Sequence, residues 1–242
     1  MRDDLLRKRS MLDKRGVTLI ELLIVLVISG IVIGGVYRVF ISQTKAYNVQ
    51  DQVAEIQQDV RGAMEIMVRD IRMAGFQSRS FGSATIEDNP VVPPLSNNSI
   101  TVNYEYIPTG AVTGPVWTVT YALAPQPDGS LSLTRTRSVD GVADPPPPEK
   151  LLDNVTALDF RYGIDSNEDR VIDGIDGATG VIPDAAFVQA AGVGTAKVFA
   201  VRIALTAKPV SPDPDVTNAV SPRTLTSVVI PRNMYLKRFR AY

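Results

Sequence analysis

The sequence predicts an α+β protein: a long N-terminal α-helix, membrane-spanning in its first half, packed on an antiparallel β-sheet head. Three observations predict this architecture. An apolar run fills residues 17–37, a helical apolar stripe follows with no proline before Pro90, and β-like runs separated by turn residues fill the remainder. A chain of 242 residues suits one globular domain with an appendage, or two very small domains.

Composition excludes several classes of chemistry. The chain has no cysteine and no histidine, which excludes disulfides, thiol nucleophiles, the usual zinc sites and histidine acid–base catalysis. Residues 1–16 hold six Lys/Arg and three Asp, so the rest of the chain has 19 basic and 23 acidic side chains, a net charge of −4. A chain with that charge is a poor nucleic-acid binder, and we expect no nucleic-acid partner.

The apolar run is long enough to cross a bilayer. Of the 20 residues from Val17 to Val36, 14 are Val, Leu or Ile, and 20 helical residues span about 30 Å. Glu21 costs roughly 3 kcal/mol at most on the insertion scale, less than the apolar residues contribute, so it does not prevent insertion. The basic residues before the run predict a cytoplasmic amino terminus.

Three ordinary interpretations compete for this segment: a permanent single-span anchor, a cleaved secretory signal and a buried core helix. No alanine precedes Ala46, so an Ala-x-Ala cleavage site after the run is missing. The length of the run argues against a core helix. The single-span anchor is therefore the strongest of the three.

The stretch "RGVTLIELLIVLVISGIV" (residues 15–32) resembles the class III signal of type IV pilins and pseudopilins. The resemblance implies that a prepilin peptidase cuts after Gly16, that the new amino terminus, Val17, is N-methylated, and that Glu21 is the glutamate at mature position five. At the position of Val17, phenylalanine is commoner than valine in this family. At the position of Arg38, major pilins often have a proline. A carboxylate at Glu21 can neutralise the new amine of its own or a neighbouring subunit, which lowers the cost of both charges in lipid.

An apolar stripe continues the helix beyond the membrane. Its members recur at steps of three or four residues: Val49, Val53, Ile56, Val60, Met64, Met67 and Ile71. Gly75 is the predicted stop. The predicted organisation is a cleaved leader (1–16), a transmembrane or filament-core helix (17–37), an amphipathic helix (38–75) and a β-rich head (76–242).

The stretch "MVRDIRMAGF" (residues 67–76) resembles the end of this helix in the PilW group of minor pilins, although an ordinary helix terminus would also explain it. After it, six runs read as strands: 99–106, 116–123, 130–137, 155–162, 197–207 and 224–230. Asp128-Gly129 predicts a hairpin turn. Together with the resemblance, these runs predict a pilin-like antiparallel sheet against the second half of the helix.

The acidic loop "YGIDSNEDRVIDGIDG" (residues 162–177) is the one candidate metal site. Six residues fall at the coordinating positions of an EF-hand-type loop: Asp165, Asn167, Asp169, Val171, Asp173 and Asp176. Ile172 would point inward. Arg170 replaces the usual glycine and Asp176 the usual glutamate, which favours a weaker, solitary Ca²⁺ loop over a true EF-hand; magnesium is less suited to such a cage. An acidic solvated loop is the alternative. The PilW resemblance supports calcium, because that group often has Asp/Asn/Gly-rich segments after a Tyr-Gly strand end.

The resemblance implies a non-catalytic minor pilin that helps to initiate a type IV pilus. Its partners would be other minor and major pilins, the inner-membrane assembly platform and the prepilin peptidase. It would lie in the bacterial inner membrane with a periplasmic head and then at the pilus tip. The alternative is a minor pseudopilin, of the J kind, of a type II secretion system. An anchored enzyme or an adhesin is a further class, although no catalytic motif or organic-cofactor motif is visible.

Overall fold

The structure is a computed structural model, and it describes residues 16–76, 91–107, 111, 114–143, 148–167, 171–174, 182–194, 196–209 and 220–231. The chain forms two compact units, Met1–Asn48 and Val49–Tyr242. Its elements include one long N-terminal helix and two antiparallel sheets, so the fold is α+β and pilin-like, as the sequence predicts.

The helix α1 runs from Leu19 to Met73. In the first unit its side chains are exposed, and the apolar ones among them include Leu22 to Ile28. By length and composition, α1 is the one helix within the described ranges that is able to cross a membrane. Because so apolar a surface is unfavourable in water, this part of the helix requires a lipid or protein environment.

In the second unit, α1 buries the face that its apolar stripe predicts. Buried side chains recur at helical spacing: Ile56, Val60, Ala63, Met64, Met67, Asp70 and Ile71. Val49 and Val53, the first two members of the predicted stripe, are half-buried. The helix ends where expected, because Gly75 adopts a φ of 75°, which L-residues with a side chain rarely adopt.

Within the described ranges, nine strands form two antiparallel sheets rather than one. Their bounds are β1 Ser99–Glu105, β2 Val116–Pro125, β3 Leu131–Val139, β4 Val142–Ala143, β5 Glu149–Leu152, β6 Val155–Asp165, β7 Phe187–Val188, β8 Lys197–Ala207 and β9 Arg223–Val229. The first sheet has the order β1-β2-β3-β4, with β5 also pairing with β3, and the second has the order β7-β6-β8-β9. All six predicted strands are present; their division between two sheets was not predicted.

A single main core joins α1 to both sheets. Its largest fully buried side chains include Tyr121 of β2, Phe160 and Tyr162 of β6, and Met67 of α1. A smaller cluster contains Ile172, Phe187, Phe199 and Ala200. The second unit therefore has an apolar core of its own and a satellite cluster beside the acidic loop.

Candidate functional site

The predicted processing site lies immediately before α1. Gly16 and Val17 are exposed and non-helical, and a Cβ added to Gly16 would meet no atom within 4 Å. A peptidase needs an accessible backbone outside regular structure at the bond that it cuts, and the Gly16–Val17 bond meets both requirements. The rest of the predicted leader, residues 1–15, lies outside the described part of the chain.

Thr18 and Glu21 form the start of the helix together. The Thr18 Oγ1 accepts a hydrogen bond from the backbone N–H of Glu21 at 3.3 Å, and the Thr18 carbonyl accepts one from Leu22 N at 3.1 Å. This is N-cap geometry, on the Thr-x-x-Glu sequence that is typical of a capping box. The spacing is readable in the sequence, and our sequence analysis did not use it.

The cap also places Glu21 in a favourable electrostatic position at the start of the helix. As the acidic residue in the first turn, it lies beside the positive end of the helix dipole. Its side chain is exposed, so it is available to a neighbouring charge. Cleavage after Gly16 would create an α-amine at Val17, and the Glu21 carboxylate would then lie only four residues from it.

A buried ionic network holds the end of α1 on the first sheet. The carboxylate Oδ2 of Asp70 accepts hydrogen bonds from Tyr121 Oη at 2.5 Å, Arg135 Nε at 3.0 Å and Arg135 Nη2 at 2.8 Å. Asp70 is 3% exposed, and Arg135 Nη1 also contacts Glu149 Oε2 at 3.2 Å. Because the buried charges are paired and multiply hydrogen-bonded, the network fixes the register of α1 against β2 and β3.

The network shifts the pKa values of two of its members, Tyr121 and Arg135, and of the neighbouring Tyr104. Burial, with the charge of Asp70, raises the pKa of Tyr104 to about 12. The same two causes, in the same order, raise the pKa of Tyr121 well above its ordinary value. Burial, the largest single effect, lowers the pKa of Arg135, but the charge of Asp70, the charge of Tyr121 and the hydrogen bonds to Asp70 and Glu149 together outweigh it and raise that pKa. Both tyrosines are therefore neutral hydroxyl groups at physiological pH, and Tyr121 serves as a hydrogen-bond donor.

The residues after Asp70 extend the attachment along β1. Gly75 donates its N–H to the carbonyl of Asn103 at 2.8 Å, and Phe76 accepts a hydrogen bond from Glu105 N at 2.8 Å. The stretch at residues 67–76 is therefore more than a helix stop: it supplies the buried carboxylate, the turn and the backbone bonds that join the helix to the sheet. A carboxylate on the apolar stripe, at Asp70, was the sequence signal for this role.

The structure describes part of the predicted calcium loop. Asp165 is buried at the end of β6, and Asp173 is half-buried, its Oδ2 accepting a hydrogen bond from Ser166 N at 3.1 Å. Asp169 and Asp176 lie outside the described residues. Within the described ranges no three carboxylates come together as a metal-binding group. Calcium binding by this loop therefore stays a prediction.

The inward position predicted for Ile172 is confirmed. Ile172 is 8% exposed and packs with Phe187, Phe199 and Ala200. Its neighbour Asp173 donates its N–H to the carbonyl of Ile164 at 2.7 Å. The loop is thus fastened to β7 and β8 by an apolar side chain and to β6 by a backbone bond.

Comparisons with known families agree with this geometry. Residues 11–37 match the prokaryotic N-terminal methylation motif, and residues 120–239 match the family of the type IV pilus-assembly protein W. The chain is a type IV pilin-like protein with a PilW domain. It is also similar to the pilin-like protein PilA3 of Thermus thermophilus, with 25% identity over 186 residues, which are 74% of this chain and 79% of that protein.

The two matches fall on the two parts of this pilin-like protein that carry candidate residues. The methylation motif contains Gly16, Val17 and Glu21. The PilW match contains Tyr121 and Arg135, and it also covers all of β6, β8 and β9. The N-terminal match therefore covers the residues of the predicted processing site, and the second match covers most of the head to which α1 is attached.

Proposed function

We propose that this pilin-like protein is a minor pilin, a non-catalytic subunit that helps to initiate and assemble a type IV pilus. One observation carries the proposal: a methylation motif with an exposed Gly16–Val17 bond precedes a membrane-capable helix that ends in a PilW head. A processed helix supplies the common stem of a filament. A head of distinct surface supplies the choice of partner.

The proposed sequence of events starts in the membrane. The chain inserts with its amino terminus in the cytoplasm, because basic residues flank that end of the helix. The helix then lies in the inner membrane and the head in the periplasm. A prepilin peptidase cleaves after Gly16, Val17 is N-methylated, and the assembly platform moves the subunit into a filament with other minor and major pilins. The pilus tip is the proposed final location.

Glu21 is the proposed registration residue. A cationic amine and a carboxylate are both costly in a low-dielectric environment, and pairing them lowers that cost. A subunit whose Glu21 meets the Val17 amine of a neighbour is stabilised only at the correct axial position. The pairing therefore favours correctly placed subunits over misplaced ones.

The test is a Glu21→Ala variant expressed in a strain that lacks the wild-type chain. We expect normal membrane insertion and normal cleavage, and strong depletion of the variant from sheared filaments. Asp51→Ala, which removes an exposed carboxylate from α1 outside the apolar run, is the control. Normal amounts of Glu21→Ala in sheared filaments would contradict the registration role.

The same deletion strain separates a pilus from a pseudopilus. Loss of surface filaments supports the proposed minor pilin. Loss of protein secretion with intact filaments would instead indicate a minor pseudopilin of a type II secretion system. A catalytic or adhesive head would be revealed by filaments of normal number that lack a specific activity or attachment.

We further propose that the loop at residues 165–176 binds Ca²⁺. The spacing of its oxygen donors and the inward position of Ile172 support this. Calorimetric titration of the detergent-solubilised full chain should show saturable Ca²⁺ binding that an Asp165→Ala/Asp169→Ala double variant loses. Asp159→Ala, on a half-exposed carboxylate of β6, is the control. The absence of heat at millimolar Ca²⁺ would reduce the segment to an acidic loop.

A further inference from the structure

The last strand of the second sheet, β9, has an open edge. It lies at the end of the order β7-β6-β8-β9, and within the described residues β8 is its only strand partner. β9 has seven residues, Arg223–Val229, and pairs with β8 in one continuous register. Its outer row of backbone N–H and C=O groups is therefore available to a further strand.

The other sheet edges in the described part of the chain are protected in the ways that natural sheets use. The outer side of β1 is covered by residues 75–76 and 91–92, which form backbone hydrogen bonds with it. β4 and β7 have two residues each, and β5 has four, of which two are charged. β9 differs, because it is long, its register with β8 has no bulge, and only its first residue, Arg223, is charged. It is therefore the edge that favours strand addition.

A groove lies beside this open edge, between β9 and α1. It has a volume of about 630 Å³, and Leu225, Thr226 and Ser227 of β9 form one side of it. The side formed by α1 has an apolar part that includes Met64 and Val68. This part of α1 and β9 belong to the same compact unit. Because a strand added to β9 extends the face that packs on α1, its side chains on that face would enter the groove.

The groove is a positive region on a negative protein. Arg61, Arg69 and Arg72 line it together with one carboxylate, Glu65, so three positive charges and one negative charge give a net +2. The chain from residue 17 onward has a net charge of −4. Within the described residues, the ion pairs of α1 involve Asp70 and neither Arg61 nor Arg72. Both guanidinium groups are therefore available to the carboxylates of a partner.

Helix geometry places part of this lining in one row along α1. Four side chains recur at steps of four, three and four residues: Arg61, Glu65, Val68 and Arg72. At 3.6 residues per turn and 1.5 Å per residue, they lie within about 60° of one another around the helix and span about 16 Å along it. Glu65 offsets part of the charge of Arg61, and Val68 with Met64 supplies an apolar surface between the two arginines. The row therefore presents positive charge at its two ends and apolar surface between them.

We propose that β9 accepts a further strand from a different protein, an extended segment with carboxylates for Arg61 and Arg72 and an apolar side chain for the groove. Backbone hydrogen bonds to β9 would provide the general attraction, and the side chains would provide the choice of segment. The inference deepens the proposed function and rests on it, because it names the chemistry by which the head would recognise a partner in the pilus.

A second copy of this chain fits the edge of β9 poorly. Two copies that paired through β9 about a two-fold axis would place their two grooves side by side on one face of the joined sheet. Each groove has a net charge of +2, and like charges across an interface oppose association. An acidic segment of another protein meets the opposite charge instead.

A disulfide tethering assay on the full-length chain in detergent tests the docking. The natural chain has no cysteine, so Thr226→Cys places a single thiol on β9 beside the groove. The probe is the synthetic peptide Thr-Asp-Thr-Val-Thr-Asp-Thr, followed by a short glycine linker and a cysteine. As a strand it presents Asp, Val and Asp on one face and threonines on the other. Mass spectrometry measures the fraction of the chain that carries the peptide as a mixed disulfide at a fixed concentration of reducing agent.

We expect the acidic peptide to tether to Thr226→Cys about ten times more than to Thr136→Cys, an exposed residue of β3 that serves as the control site. A peptide with lysine in place of both aspartates should tether to Thr226→Cys about ten times less than the acidic one. Equal tethering of the acidic and basic peptides, or equal tethering at the two sites, overturns the proposal.

Two further variations test the cause. Arg61→Glu/Arg72→Glu, at two exposed positions of the Thr226→Cys chain, should invert the preference so that the lysine peptide tethers about ten times more. Inversion cannot result from a misfolded variant, and an unchanged preference overturns the charge assignment. N-methylation of the threonines in one acidic peptide, and of the aspartates and valine in another, removes the backbone donors of each peptide edge in turn. One of the two should lose tethering about tenfold, and full tethering by both overturns strand addition.

Other occupants of the edge would be recognised in the same assay. Without peptide, a disulfide between two Thr226→Cys chains that is more abundant than one between two Thr136→Cys chains would show that a second copy occupies the edge. A tenfold rise in tethering on removal of residues 232–242 would show that the chain's own C-terminal segment occupies it. Either result overturns the assignment to a different protein.

The inference and the proposed function fail in different ways. If the acidic peptide does not tether but the wild-type chain is present in sheared filaments, the inference is wrong and the proposed function stands. If the wild-type chain never enters filaments, the proposed function itself is wrong, whatever the peptide does.

Discussion

Replacing the buried carboxylate of Asp70 should destabilise the head far more than replacing an exposed one. Asp70→Asn keeps the size of the side chain and removes its charge. The change leaves the guanidinium of Arg135, whose side chain is 13% exposed, without its buried counter-ion, and it weakens the hydrogen bond from Tyr121 Oη. The perturbation therefore isolates the ionic part of the contact between α1 and the first sheet.

The magnitude follows from the geometry. Breaking a buried ion pair by removing one partner costs about 3–5 kcal/mol. The lower end applies here, because Arg135 Nη1 retains Glu149 Oε2 at 3.2 Å and the Glu149 side chain is 59% exposed. We expect a loss of about 3 kcal/mol in the free energy of unfolding. For a protein of this size that is a fall of roughly 6–12 °C in melting temperature.

Trp117 provides the assay, because it is the only tryptophan in the chain. It lies on β2, stacks on Tyr106 with ring centroids 4.4 Å apart, and lies 4.5 Å from the guanidinium carbon of Arg137. Unfolding of the first sheet separates these groups and changes the indole emission. Urea titration of the detergent-solubilised full chain, followed by this emission, gives the free energy of unfolding.

Asp159→Asn is the matched control. It makes the same chemical change in an ion pair of similar length, Arg161 Nε to Asp159 Oδ2 at 2.8 Å, but both side chains are more than a third exposed. We expect a change of about 0–1 kcal/mol. If Asp70→Asn lowers the free energy of unfolding no more than this control does, the stability of the protein depends no more on a buried ion pair than on an exposed one. The reasoning is then refuted.

A second variant distinguishes the contribution of the whole network to stability from the cost of leaving one buried charge unpaired. The triple substitution Asp70→Leu/Tyr121→Phe/Arg135→Met replaces the polar groups with apolar ones of similar volume. Because replacing a complete buried ionic network is often neutral, we expect the triple variant to be more stable than Asp70→Asn. A triple variant as unstable as Asp70→Asn would show that the polar contacts themselves supply the stability.

Three further predictions concern other parts of the head. Since burial raises the pKa of Tyr104 from 10 to about 12, its contribution to stability is complete below pH 10 and is lost as pH rises through 12; Tyr104→Phe should therefore flatten the fall in melting temperature over that range. Gly75→Ala forces a side chain onto a φ of 75° and should cost about 1–2 kcal/mol in urea titration, and an unchanged midpoint would contradict the assigned turn. Gly163→Ala places a Cβ 3.1 Å from Ala200 Cβ and 3.3 Å from Ile172 Cγ2, so we expect a loss of about 1–3 kcal/mol, and a stabilised variant would show that this cluster is loosely packed.

Elements with a sustained pattern were predictable, and short elements were not. The stripe from Ile56 to Ile71 and the six long strands carry several residues of period 3.6 or 2, which is enough to define an element. The strands β4, β5 and β7 have two, four and two residues, too few to show a period. They exist because the longer strands β3 and β6 offer backbone partners.

The candidate sites divide in a similar way. The cap formed by Thr18 and Glu21 involves residues three apart, so the local sequence contains all the information that the hydrogen bond requires. Arg135 lies 65 residues after its partner Asp70. The local sequence around either residue does not indicate that the two residues pair.

The sequence by itself determined the order of the parts: a basic leader, an apolar stem with Glu21 near its start, an amphipathic helix and a β-rich head. These features follow from composition and periodicity, because transfer to lipid and burial of one helix face depend on residues adjacent in sequence. Only the tertiary structure decided that the strands divide between two sheets and that Asp70 is the buried anchor of the helix. Those outcomes depend on contacts between distant segments, which form when the chain buries its apolar surface and must pair every charge taken with it.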